Sequence, residues 1–91
     1  VRFARKSDAN QPEIVRALRK VGCSVLIMKN LGGGYPDIAA ARGRRTVLFE
    51  IKNRAARGKP NELQRAFAAT WQGECYTVGT AAEAVAVMLR V

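Results

Sequence analysis

Ninety-one residues are enough for one domain with a single modest core, and 48% hydrophobic residues argue against a disordered chain. Sixteen Lys and Arg against seven Asp and Glu leave a net charge of +9, which asks for a polyanionic partner, most often nucleic acid. With no histidine and only two isolated cysteines, Cys23 and Cys75, the chain offers neither a zinc site nor a Ser-His-Asp triad. No apolar run approaches the length of a membrane span, and an intracellular protein is expected.

Val1 to Ser7 is a basic lead-in, with Arg2, Arg5 and Lys6 available to phosphates. Asn10-Gln11-Pro12-Glu13 reads as a helix start, with Asn10 as N-cap and Glu13 closing a capping box. Ile14, Leu18 and Val21 form the apolar stripe of that helix, Gly22 is its C-cap, and Arg16, Arg19 and Lys20 lie opposite. Residues 23–29 (CSVLIMK) predict a first strand, apolar enough to be largely buried, with Cys23 as a small core residue. Asn30 to Tyr35 is a glycine-rich loop in which Gly33 and Gly34 permit close backbone approach to a phosphate. It is not a dinucleotide fingerprint, because a strand follows it.

Residues 37–41 predict a second strand, 42–44 a hairpin tip, and 45–52 a third strand. Asn53 to Lys59 is polar and basic, and its Arg54, Arg57 and Lys59 suit a loop along a nucleic-acid backbone. Asn61-Glu62-Leu63-Gln64 is a second capping box, opening a helix that Gly73 ends and that carries Leu63, Phe67 and Trp71 on one face. Residues 75–78 predict a fourth strand. Thr80 and Glu83 cap a last helix with Val85, Met88 and Leu89 toward the core. The order is α-β-β-β-α-β-α, an α/β fold with a mixed four-stranded sheet, three strands antiparallel and the fourth parallel after a crossover.

The chemistry concentrates at Pro36-Asp37 and Glu50-Ile51-Lys52. Alternate residues of a strand share a face, so Glu50 and Lys52 point together while Phe49 and Ile51 point into the core. Glu and Lys so spaced also describe an ordinary solvated pair. An aspartate at the start of the neighbouring strand changes that, because two adjacent carboxylates repel unless a cation lies between them. Mg²⁺ suits such a pair, and a lysine beside it can hold a water or a phosphate oxygen.

Pro36-Asp37 followed by Glu50-Ile51-Lys52 resembles the PD-(D/E)xK nuclease signature, and the surrounding sequence looks like its VRR-NUC branch and the related archaeal junction resolvases. The resemblance implies one nuclease domain over residues 1–91, with Asp37, Glu50 and the Ile51 carbonyl as ligands of Mg²⁺ or Mn²⁺ and Lys52 as catalytic lysine. It implies a homodimer cutting branched DNA such as Holliday junctions. It also puts an additional acidic metal residue at Gln11, where this chain has an amide; Asp8 and Glu13 are nearby substitutes. Gln64 falls where VRR-NUC domains often carry a glutamine, although the capping box already gives it a role. A nicking or flap nuclease, or a nucleic-acid-binding module whose site has decayed, are the alternatives.

Overall fold

The computed structural model describes residues 5–52 and 62–90. Its element order is α1 (Arg5–Lys20), β1 (Ser24–Ile27), a 3₁₀ turn (Lys29–Leu31), β2 (Ile38–Arg42), β3 (Arg45–Ile51), α2 (Glu62–Thr70), β4 (Glu74–Val78) and α3 (Ala81–Leu89). The strands form one sheet in the order β1-β2-β3-β4, antiparallel across the first three and parallel between β3 and β4. This is the α/β architecture expected from the element order.

One face of the sheet carries the core. Ile38 and Ala40 of β2, Val47 and Phe49 of β3 and Val78 of β4 pack against Ile14, Val15 and Leu18 of α1 and Ala84, Val87 and Met88 of α3. The spacing of Ile14, Val15 and Leu18 puts them on one side of α1, as the apolar stripe requires. Its C-terminus closes as a Schellman motif: Cys23 N donates to Leu18 O (3.0 Å) and Gly22 N to Arg19 O (3.0 Å), with Gly22 at φ 94°. Leu18 and Cys23 are both buried there, so the cap also seals the core edge. At the same end of the strands, toward β4, Arg45 forms a two-pronged pair with Glu74 (2.6 and 2.7 Å) and donates to Val87 O (2.8 Å) and Arg90 O (3.2 Å). One guanidinium thus joins β3, β4 and the C-terminal carbonyls of α3, and it holds the Glu74 carboxyl at about 2.

Four local expectations change. Asn10 is not an N-cap, because α1 begins at Arg5 and runs through Pro12. Its side chain instead reaches across the fold, so it is unavailable to the helix backbone, and the Glu13 capping box falls with it. Pro12 is exposed and costs the helix one N–H donor. The first strand is an edge rather than a buried strand: Leu26 is 64% exposed, and Ile27 too is exposed, because nothing described lies beyond β1. In α3 the buried positions are Ala84, Val87 and Met88, with Val85 half-buried and Leu89 exposed. The Thr80–Glu83 capping box that starts α3 is present in both directions.

Candidate active site

Residues directly opposite in an antiparallel pair share a face, and the Ala39↔Leu48 register therefore puts Leu48 and Glu50 on the sheet face away from α1 and α3. Asp37 sits just before β2. Its N–H donates to Phe49 O (3.0 Å) and its carbonyl accepts from Met28 N (2.7 Å), so both neighbouring strands fix its backbone. Pro36, fully buried, holds the approach to it. The Asp37 carboxylate then accepts the Ile51 N–H at 2.7 Å. That bond anchors the aspartate to β3 between Glu50 and Lys52, as the sequence motif requires.

Glu50 is half-buried, and its carboxyl is pushed up to about 7 by burial first and by the Asp37 charge second. Its Oε2 accepts a hydrogen bond from Gln64 Nε2 at 3.1 Å. Lys52 is exposed at the end of β3, with its N–H on Val78 O (2.7 Å). The Lys52 carbonyl faces Asn10 Nδ2 at 3.4 Å, and the same amide lies 3.4 Å from Gly79 O. Asn10 thus ties α1 to the strand end that carries the lysine. Burial and mutual repulsion make the two carboxylates costly to ionise together without a cation. The described residues contain no cluster of three or more His, Cys, Asp or Glu ligands; the oxygen donors on offer here are Asp37, Glu50 and neighbouring backbone carbonyls. Such a set fits a hard divalent ion that keeps several waters.

The residues singled out by sequence fare differently. Asp37, Glu50 and the Ile51 N–H are brought together, and Lys52 follows directly, just past the end of β3. Gln11 is half-buried on α1, one residue beyond Asn10. Gln64 bonds Glu50; its expected capping-box partner Asn61 lies outside the described residues. A Cβ added at Gly33, φ 67°, would meet the Tyr35 ring at 3.5 Å and nothing else among the described residues. Gly34 is used differently. A Cβ there would lie 2.5 Å from the Leu63 carbonyl carbon, so the close approach expected of this glycine is made by the backbone of α2. Arg54, Arg57, Lys59 and the Asn61 cap lie outside the described residues. Sequence reasoning missed Asn10, since nothing local signals a bond to a carbonyl 42 residues away.

A mixed sheet with an aspartate at the mouth of β2 and a Glu-x-Lys at the end of the adjacent β3 is consistent with a PD-(D/E)xK nuclease fold. A family model described as archaeal Holliday junction resolvase (hjc) matches residues 2–66, more than two thirds of the chain, and spans both α1 and the whole motif. The protein belongs to the archaeal Holliday junction resolvase family, within the PD-(D/E)xK superfamily, and is a resolvase-like nuclease acting on DNA. No curated protein matches it.

Proposed function

We propose that this chain is a Mg²⁺- or Mn²⁺-dependent endonuclease that works as a homodimer and resolves four-way DNA junctions. The observation that carries the proposal is the Asp37–Glu50 pair, locked to β3 by the Ile51 N–H and flanked by Lys52. Asp37, Glu50 and the Ile51 carbonyl would hold the metal, which supplies charge stabilisation at the scissile phosphate and a more acidic water. Lys52, exposed beside them, orients that water or a phosphate oxygen. Gln64 holds Glu50 in place. VRR-NUC domains often carry a glutamine at this place. Cleavage of a four-way junction against linear duplex, with and without Mn²⁺, tests the reading. Metal-dependent paired cuts across the junction support it, and cutting indifferent to branching leaves a nicking enzyme.

The basic excess makes binding steeply salt-dependent, because each neutralised phosphate releases counterions, with a log–log slope of about −0.9 per contact. Arg54, Arg57 and Lys59 follow the site directly. Neutralising all three is expected to flatten the slope by about 2.7 if each meets one phosphate. Titrations across a range of salt concentrations measure it, and an unchanged slope puts that segment away from the DNA.

Gln11 stands where the family pattern implies an acidic metal residue. Gln11→Glu adds a negative charge on α1, and we expect tighter metal binding and faster cleavage at limiting Mg²⁺, with little change at saturation. Gln11→Ala should do the reverse. Identical metal titrations for all three proteins would move the role to Asp8.

A further inference from the structure

β4 lies beyond residues 2–66, so the family match says nothing of what this strand brings to the site. Its register on β3 does. Glu50 pairs with Thr77 in the parallel ladder. The β2–β3 register, continued one residue past Ile38↔Phe49, puts Asp37 opposite Glu50 on the other side. Tyr76 and Val78 pack on the core, and the Tyr76 ring lies 6.4 Å from that of Phe49. Alternation therefore turns Thr77 to the opposite face, the one that carries Glu50. Asp37, Glu50 and Thr77 thus form a row of oxygen-bearing side chains, with neighbouring strands about 4.8 Å apart. The Lys52 N–H on Val78 O (2.7 Å) fixes the lysine's strand end to the same stretch of β4.

Thr77 is exposed, and its hydroxyl takes no hydrogen bond among the described residues. The hydroxyls of Thr70 and Thr80, by contrast, are both engaged with helix backbone. A threonine suits a strand for its β-branched shape alone, and elsewhere on β4 an exposed one would need no further account. Its place beside Glu50 is what matters. We propose that the Thr77 hydroxyl donates a hydrogen bond to a non-bridging oxygen of the DNA phosphate bound at Asp37 and Glu50, and so positions that phosphate for cleavage. The inference rests on the reading of these two carboxylates as the metal site. A phosphate held there by a metal still meets the negative charge of both side chains. A hydroxyl offers it a donor that carries no charge, from the side of Glu50 that Asp37 leaves open. Lys52 serves from beyond the strand end. The hydroxyl keeps its proton throughout, and no bond to threonine forms or breaks. Thr77 is thus a substrate-positioning residue, distinct from the groups that hold the metal and the water.

Two variants of the full chain test this. Thr77→Val keeps the branched shape and removes only the hydroxyl, and Thr77→Ser keeps the hydroxyl; both should melt like wild type. On an oligonucleotide junction or duplex with Mn²⁺, Thr77→Val is expected to lower kcat/KM about ten- to hundredfold, as loss of a hydrogen bond to a charged group implies. Thr77→Ser should stay within about threefold of wild type. Metal affinity, measured by calorimetry without DNA, should be the same in all three proteins. The readout specific to the contact is a substrate with a stereodefined phosphorothioate at the cut site. Sulfur accepts hydrogen bonds poorly, so with sulfur at the contacted oxygen wild type and Thr77→Val should cut at equal rates. Equal rates on the all-oxygen substrate overturn the proposal, and so does a Thr77→Ser as slow as Thr77→Val. Weaker metal binding by Thr77→Val overturns it too, since the hydroxyl would then serve the metal and its waters. The same loss in Thr77→Val on oxygen and on both phosphorothioates is equally fatal. If wild-type protein cuts nothing with either metal, the nuclease reading fails, and binding decides the contact. In Ca²⁺, Thr77→Val should then bind the same DNA about threefold or more weakly than wild type, and equal affinity overturns the contact.

Discussion

Glu50→Gln is expected to slow cleavage by about a thousandfold or more, as loss of a metal-binding charge worth several kcal/mol implies, and yet to raise the melting temperature of the metal-free protein at pH 8. The two effects have one cause. In the unfolded chain Glu50 titrates near 4.5, and in the folded protein burial and Asp37 push it up to about 7. Between those values the folded state holds a proton that the unfolded chain has released. Stability therefore falls as pH rises through this window, and the full penalty stands above pH 7. Solvent still reaches the carboxylate, and with that allowance the penalty is on the order of 1–2 kcal/mol. Glutamine is neutral throughout, so the variant should lack this pH dependence. Thermal melts with chelator from pH 5 to 8 measure it, and a constant difference between the two proteins would refute the account. Divalent metal should return the lost stability to wild type only. At limiting Mg²⁺, wild-type cleavage should rise with pH through about 7 as Glu50 ionises. Asp37→Asn should be as inactive as Glu50→Gln, since it removes the other charge.

Gly34→Ala is the second large effect. At φ 83° an alanine is already strained, and its Cβ would lie 2.5 Å from the Leu63 carbonyl carbon and 2.7 Å from the Leu63 oxygen and Cβ. Two of those atoms are helix backbone, so α2 must back away as a body. Overpacking of this kind costs about 1–3 kcal/mol in a core. Here no residue of the helix is fully buried and it can be displaced more cheaply, with the loss falling on Gln64 and Glu50. We expect a ten- to hundredfold fall in nicking rate, with the sheet and the α1–α3 core intact by circular dichroism. Gly33→Ala is the control: its nearest neighbour is the Tyr35 ring at 3.5 Å, an ordinary contact. Equal activity in the two variants would mean that the fit of α2 on the loop does not serve the site.

Local chemistry in the chain determined much of this protein. Alternation along 45–52 assigned Phe49 to the core and Glu50 and Lys52 to one face, because a strand has a period of two whatever surrounds it. Gly22 and the Thr80–Glu83 pair marked helix ends for equally local reasons, a left-handed residue and a reciprocal side-chain cap. The likeness of Pro36-Asp37 and Glu50-x-Lys52 to a nuclease signature then pointed to the candidate site. What local chemistry cannot state is which partner a polar side chain takes when two are within reach of its type. Asn10 had a plausible capping role and tertiary packing gave it a distant one, on the Lys52 carbonyl, while Gln64 reaches the Glu50 carboxylate, a contact no local pattern signals. The exposure of Leu26 in an apolar strand and of Leu63 and Trp71 in an amphipathic helix was likewise decided by packing. An apolar stripe shows that a face needs covering, and only the arrangement of the sheet shows that α1 and α3 cover one side while α2 barely covers the other.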